Sequence, residues 1–166
     1  MNLLQNGAPL RYPGSKGKAS KLLHSLAADG YREYREGFFG SGTMLPRVAG
    51  AERIWLNDMN PLLMRFWEWF REEDDALDKM VQTAHRLRSA SDLEIEREFV
   101  RARAHVRQSH DPYSFWFLNR FATAAIVSLS RRDIASPCSA FQRSGMSAMR
   151  RERLEAIRAA LRMPEI

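Results

Sequence analysis

Two glycine-containing turns and an aspartate near the N-terminus have the residue types that could bind a nucleoside-like ligand. The first turn, residues 10–18, places Lys16 between two glycines, just before a leucine-containing stretch. Such a turn can offer backbone N–H groups and a cation to an anion, although its spacing is not that of a Walker A loop. A surface turn with a solvated lysine explains the same residues, so both interpretations stay open at this point.

The second turn, which contains Gly40 and Gly42, and the aspartate, Asp58, each follow a predicted strand. Gly40 and Gly42 would let the backbone approach a bulky ligand at the end of the first strand, although the third glycine of a dinucleotide fingerprint is absent. Asp58 follows at roughly the 20-residue distance at which an acid binds ribose hydroxyls. The alternatives are a simple strand–helix turn and an aspartate that only caps the helix starting at Pro61. Because position and residue type agree in both stretches, we favour a nucleoside-binding site.

The elements that must position these residues change in character at Pro61. Before it, short apolar runs and glycine turns predict a helix over 19–28, a strand over 34–39, a helix after the second turn and a strand over 53–57. Such alternation is typical of an α/β sheet. After it, the apolar spacing predicts helices alone, which begin near Pro61, Ala76, Ser91, Asp111 and Ser147.

Several patterns in the helical part bear on function. Ser91 and Glu94 form a capping-box pattern, and the stretch 128–145, which has no apolar period, predicts a loop. The aromatic residues within 66–70 could stack on bases, but their helical spacing favours a core position. The histidines and Cys138 lack metal-ligand spacing, so no metal site is predicted.

The composition excludes several classes of protein. The chain has 26 basic and 20 acidic residues, and its positive charge lies in 1–60 and 111–166, on either side of a nearly neutral middle. All but four of the cations are arginine, which suits phosphate and base contacts, although genome composition explains an arginine excess equally well. A single cysteine excludes a disulfide framework and predicts a reducing cytoplasm. No apolar run is long enough to span a membrane, and the first nine residues lack a signal-peptide pattern.

Several motifs occur in a defined order along the chain. Residues 11–16 read R-Y-P-G-S-K, 36–42 read E-G-F-F-G-S-G, and 57–61 read N-D-M-N-P. Residues 117–121 read F-L-N-R-F, and 139–141 and 144–147 read S-A-F and S-G-M-S. In this order and spacing, the set resembles the Dam-like DNA adenine methyltransferases over essentially the whole chain, the last two segments resembling phage-type members.

The resemblance implies transfer of a methyl group from S-adenosylmethionine to the exocyclic amino group of adenine in double-stranded DNA. The cofactor-binding positions that it implies are Tyr12, Lys16, Phe38, Gly40, Gly42 and Asp58. In the family the first two contact the cofactor, the glycine-rich group holds its methionine part, and the aspartate holds its ribose. The positions that fall where DNA contacts are expected are Arg120, Arg131 and Arg132.

The sequence departs from the family pattern where the chemistry takes place. Members carry a D-P-P-Y-type motif after the recognition region, which holds the flipped adenine, and the 166 residues contain none. Asp111-Pro112-Tyr113 lacks the second proline and precedes the Leu-Asn-Arg helix, so it predicts a helix start. Gly37 also replaces a common proline, and 122–130 departs from a Phe-x-Gly run. We therefore assign no catalytic residue and expect weak or no activity from these residues alone.

These observations together predict an α/β fold, with a partial Rossmann-like methyltransferase sheet followed by a helical DNA-recognition region. The predicted division is 1–70 for cofactor binding, 71–160 for target recognition and 161–166 for the start of a truncated strand. We expect a cytoplasmic monomer whose partners are DNA and a missing C-terminal catalytic half, without metal or membrane. A non-catalytic DNA-binding remnant is the second hypothesis. A nicotinamide-binding module is the third, disfavoured by the missing glycine and by the 12–16 stretch.

Overall fold

A computed structural model of the chain describes residues 8–11, 15–16, 19–27, 30–48, 50–122, 127 and 151–162. The helices in this described part are α1 (Ser20–Ser25), α2 (Leu45–Val48), α3 (Pro61–Glu72), α4 (Ala76–Arg88), α5 (Asp92–Ser109), α6 (Pro112–Phe121) and α7 (Arg151–Leu161). The strands are β1 (Glu33–Glu36) and β2 (Arg53–Leu56).

The two strands form a small parallel sheet. Tyr34 lies opposite Ile54 and Glu36 lies opposite Leu56, so both strands end at the same edge. The chain is therefore a mixed helical protein with a two-stranded parallel sheet in its described part, which confirms the α/β prediction at this level. The predicted bounds of the first strand, 34–39, are wrong because the chain turns after Glu36 into a segment with positive φ at Gly40. The second strand ends one residue earlier than predicted.

The caps of the helices explain where they begin. The Asn60 side chain accepts hydrogen bonds from the backbone N–H groups of Leu62 and Leu63, and Pro61 occupies the first turn of α3. The capping box predicted for α5 is confirmed, since Ser91 and Glu94 exchange side-chain to backbone hydrogen bonds. The predicted bounds of α4 are confirmed as well.

Two predicted helices end earlier in the structure than the sequence predicts. The helix predicted over 19–28 is shorter, as α1 ends at Ser25. The helix predicted to reach 126 ends at Phe121, because Ala122 adopts an extended conformation; residues 123–126 lie outside the described part. Helix α7 ends at Leu161, as predicted. Residues 147–150, where this helix was predicted to begin, and the predicted 128–145 loop lie outside the described residues.

One apolar cluster connects the N-terminal segment, the strands and the helices, from Leu10 to Leu161. Helices α3 and α5 pack on α6, and α7 packs against α2, α3 and α4. Phe66, Trp67 and Phe70 are buried, so the prediction that this aromatic cluster belongs to the core is confirmed. The strand predicted to start at 161 does not begin there, because Leu161 ends α7 and Arg162 lies in the following turn. None of the helices in the described ranges has the length and apolar character needed to cross a membrane.

Candidate cofactor site

The carboxyl ends of β1 and β2 bring the second turn and the Asn57–Asn60 segment side by side. Beyond the strands, the Asn57 N–H donates to the Glu36 carbonyl at 2.8 Å, and the Phe39 N–H donates to the Asn57 carbonyl at 2.9 Å. Since ligands of open α/β sheets bind outside the carboxyl ends of the strands, this edge is where a nucleoside would be expected.

Asp58 joins the two strand ends through both of its carboxylate oxygens. Oδ2 accepts a hydrogen bond from the Gly40 N–H at 2.9 Å, and Oδ1 accepts one from the Asn60 N–H at 3.0 Å. Asp58 is therefore not the cap of α3, which is Asn60, and the alternative that it only caps this helix is wrong. A carboxylate has about four lone-pair sites, so Asp58 retains acceptor capacity for ribose hydroxyls.

The second turn requires glycine at positions 40 and 42 because of its backbone conformation and its packing. Gly40 and Gly42 have φ values of 55° and 69°, a region that side chains rarely adopt. A Cβ atom on Gly42 would lie 3.0 Å from the indole ring of Trp67. The Trp67 Nε1–H in turn donates to the Gly40 carbonyl at 3.0 Å. The turn is thus held between Asp58 on one side and Trp67 on the other.

Lys16 reaches the same edge of the sheet through an ion pair. Its Nζ lies 2.8 Å from Oε1 of Glu36, which is only 7% exposed, and it also donates to the Phe38 carbonyl. The Tyr34 hydroxyl donates to the other Glu36 oxygen at 3.0 Å. Burial, reinforced by the nearby Glu36 carboxylate, raises the pKa of Tyr34 above its ordinary value. Lys16 therefore neutralises a buried acid, whereas the sequence left open whether it was merely solvated.

Two apolar side chains are exposed at the strand ends. Phe38, after β1, is 77% exposed, and Met59, after β2, is 92% exposed. Exposed apolar side chains beside a polar site are typical of a ligand-binding surface, because a flat ring such as a base can pack on them. Both lie in the two segments that Asp58 connects.

The structure thus brings together Lys16, Phe38, Gly40, Gly42 and Asp58, and we refer to these five residues as the strand-tip site. Tyr12, predicted to contact the same cofactor, lies outside the described residues. Among the described residues, no three His, Cys, Asp or Glu side chains come close enough to hold a metal ion.

Comparison with known families identifies the chain. Residues 12–163 match the family described as D12 class N6 adenine-specific DNA methyltransferase. The chain belongs to this family. A comparison with curated proteins gave no match. The resemblance found in the motifs is confirmed, and methyltransferases of this family act on DNA and generally use S-adenosylmethionine.

The Leu-Asn-Arg helix of this family member, α6, packs into the molecule. Arg120 is only 7% exposed and donates to the Ala8 carbonyl at 3.3 Å, while its own carbonyl accepts from the Arg11 guanidinium at 3.2 Å. Burial, with a smaller contribution from Arg11, lowers the pKa of Arg120 to about 10. A DNA contact by Arg120 stays a prediction, and its burial does not support it. Arg131 and Arg132 lie outside the described residues.

Two arginines, one in α7 and one directly after it, hold this helix against the end of α3 and the α3–α4 connection. Arg158 donates to the carbonyls of Glu73 and Asp74, and Arg162 donates to the Arg71 carbonyl at 2.7 Å. Arg162 also pairs with the Asp74 carboxylate at 2.8 Å. These cations of the arginine-rich end therefore have structural partners, which their sequence pattern did not indicate.

Three residues at or near the site carry no role predicted from the sequence. Glu36 is the buried partner of Lys16, Met59 is the exposed side chain at the end of β2, and Asn119 holds the backbone of Arg11. An acid within a predicted strand and the asparagine of a named motif were available signals. Their partners, however, come from distant parts of the chain.

Proposed function

We propose that the chain binds S-adenosylmethionine at the strand-tip site, as the cofactor-binding part of a DNA adenine-N6 methyltransferase. The observation that carries this proposal is the Asp58 carboxylate, which connects the end of β2 to the Gly40 N–H at the end of β1. This arrangement unites a glycine turn and a ribose-binding acid at one sheet edge, as in nucleotide-binding α/β folds.

The side chains around Asp58 fit the parts of this cofactor. The exposed Phe38 and Met59 offer apolar surface to an adenine ring, and the free lone pairs of Asp58 suit ribose hydroxyls. Gly40 lets the backbone lie close to the methionine part. Lys16 and Tyr12 complete the proposed set, Lys16 through the ion pair that fixes its ammonium near the Phe38 carbonyl.

We further propose that β1 and β2 belong to a Rossmann-like sheet, with residues 1–70 as its cofactor-binding part and 71–160 as the target-recognition part. The parallel pairing with a helix between the strands supports this topology. Within the described part of the chain, β1 pairs with β2 alone.

The chemistry of the family requires more than a cofactor site. When bound, S-adenosylmethionine supplies a methyl group whose bond to sulfur breaks as a bond to the adenine amino nitrogen forms, with loss of a proton from that nitrogen. Because the 166 residues contain no D-P-P-Y-type motif to orient the adenine, we propose that they bind cofactor but transfer methyl groups weakly or not at all. Incubation with labelled cofactor and unmethylated DNA should give background incorporation, and robust labelling would contradict this.

Titration calorimetry with S-adenosylhomocysteine tests the cofactor proposal. Asp58→Ala should weaken binding at least about tenfold, since it removes both the ribose acceptor and the contact to Gly40. Asp78→Ala is the matched control, because Asp78 pairs with Arg151 between α4 and α7, and it should leave the affinity unchanged. Equal affinities for both variants, or no binding by the wild type, would contradict the proposal. Absent cofactor binding together with salt-dependent DNA binding would instead favour a non-catalytic DNA-binding protein.

DNA binding by Arg131 and Arg132 remains part of the proposal, supported by the family membership. Replacing both by glutamine should make the negative slope of log K against log salt less steep by about 2, because each phosphate contact contributes about −0.9 to it. Arg158→Gln is the control, as Arg158 binds the carbonyls of Glu73 and Asp74. Equal slopes for the two variants would remove Arg131 and Arg132 from the DNA surface.

A further inference from the structure

Asn119 of α6 binds the backbone of Arg11 at both of its polar groups. The Asn119 Oδ1 accepts from the Arg11 N–H at 2.8 Å, and the Asn119 Nδ2 donates to the Arg11 carbonyl at 2.7 Å. Asn119 is 1% exposed, so both hydrogen bonds are shielded from water. One side-chain amide thus satisfies one residue's backbone in the way that a neighbouring strand would.

Arg120 strengthens the same attachment. Its carbonyl accepts from the Arg11 guanidinium, and its guanidinium donates to the Ala8 carbonyl. Leu10, between these contacts, lies in the apolar cluster. Residues 8–11 are therefore anchored to α6, although more than 100 positions separate them from it in the sequence.

A few residues later, the chain is anchored to the strand-tip site. The Ser41 hydroxyl donates to Ser15 Oγ at 3.1 Å, and Lys16 pairs with Glu36 at 2.8 Å. The two anchors lie four residues apart in the sequence, between Arg11 and Ser15. Four residues span at most about 14 Å, so the position of Arg11 limits where Ser15 and Lys16 can lie.

From these contacts we propose that Asn119 is a positioning residue for cofactor binding. It holds Arg11 so that Ser15 and Lys16, four and five residues later, meet the strand ends in the arrangement that binds the cofactor. Asn119 acts through the Arg11 backbone and does not itself touch the cofactor. The proposal rests on the proposed function of the strand-tip site and adds a residue from the helical part to it.

The asparagine side chain is suited to this task because it combines a donor and an acceptor in one plane. Aspartate keeps the acceptor for the Arg11 N–H but lacks the donor for the Arg11 carbonyl, and alanine lacks both. At a buried position, a backbone group left without a partner is costly. Each substitution should therefore release part of the anchor.

Titration calorimetry with S-adenosylhomocysteine on the full 166-residue chain tests the proposal. Asn119→Ala and the nearly isosteric Asn119→Asp should each raise the dissociation constant about tenfold, because alanine removes both hydrogen bonds and aspartate sets a carboxylate oxygen against the Arg11 carbonyl. The matched control is Thr83→Val, which removes the 2.7 Å hydrogen bond that joins the Thr83 hydroxyl of α4 to the Tyr113 hydroxyl of α6. All titrations are run well below the unfolding temperatures, so a general loss of stability does not move the affinity.

Hydrogen exchange provides a second readout that does not need the cofactor. The Arg11 amide should exchange faster in both Asn119 variants, while amides of α3 keep their wild-type protection. Three results would each overturn the positioning role. The Asn119 variants could bind S-adenosylhomocysteine with the wild-type affinity, Thr83→Val could weaken binding as much as they do, or the exchange of the Arg11 amide could stay unchanged in them. Failure of the wild type to bind would overturn the proposed function itself, and the positioning role with it.

Discussion

Single side chains connect distant parts of this chain at the site. Asp58 joins the two strand ends, and Lys16 neutralises the buried Glu36. Both roles depend on groups that are shielded from water, where an unpaired charge or donor is costly. The chemistry proposed for the strand-tip site thus relies on residues that also hold its backbone in place.

Gly42 offers a direct test of this backbone arrangement. Gly42→Ala should lower the free energy of unfolding by about 1–3 kcal/mol, because a Cβ atom would adopt a disfavoured φ and lie 3.0 Å from the Trp67 ring. Urea unfolding measures the effect. Gly50→Ala is the control, since nothing lies within 4 Å of its added Cβ atom. Equal stability of the two variants would show that the second turn is not packed as described.

Sequence reasoning found the types of the site residues but not their partners. The glycine turn and Asp58 were assigned to one nucleoside-binding site because each follows a predicted strand and the acid comes about 20 residues after the turn. The pairing of Lys16 with Glu36 and of Asn119 with Arg11 depends on how separate elements pack, which no local pattern encodes. Arg120 illustrates the same limit, since an arginine in a predicted recognition helix proves to be buried.

At the scale of elements, helices were predicted better than strands. The bounds of α4 and the cap of α5 follow from local signals, namely apolar spacing and a Ser-x-x-Glu pattern. The bounds of β1 depend on where its partner strand stops and where the glycine turn begins, so its aromatic residues misled the prediction. The end of α6 at Phe121, where the backbone of Ala122 becomes extended, had no local signal in the apolar spacing.

The docking of α7 should depend on pH through Asp74. The hydrogen bond from Arg162, aided by its charge, holds the pKa of Asp74 below the ordinary value. An acid with a lowered folded pKa stabilises the fold above its unfolded pKa, about 3.9, and loses this contribution as the pH falls through the folded value. Wild type should therefore exceed Asp74→Asn in stability at pH 7, with the difference shrinking toward pH 3.

Urea midpoints measured across this pH range test the docking prediction. Glu68→Gln is the control, because Glu68 has no ion pair among the described residues; its difference from wild type should change less with pH. A difference for Asp74→Asn that stays constant from pH 7 to pH 3 would show that the Arg162 contact does not hold α7.

At the scale of the whole molecule, the two basic ends have different partners. Near the N-terminus, Lys16 faces a buried acid at the sheet edge, and near the C-terminus, Arg158 and Arg162 fasten α7 to the α3–α4 connection. Net positive charge suits a family that acts on DNA, but these individual cations are committed to the fold. The apolar cluster meanwhile joins the strands to the helical part, so β2 and α6 share one core.

The location of the cofactor site is tested most directly by amide NMR spectra of the chain during titration with S-adenosylhomocysteine. The account predicts the largest shift changes at Gly40 and Asn60, whose N–H groups donate to Asp58, with small changes along α4 and α5. Spectra that do not change, or changes confined to α4 and α5, would contradict a cofactor bound at the ends of β1 and β2.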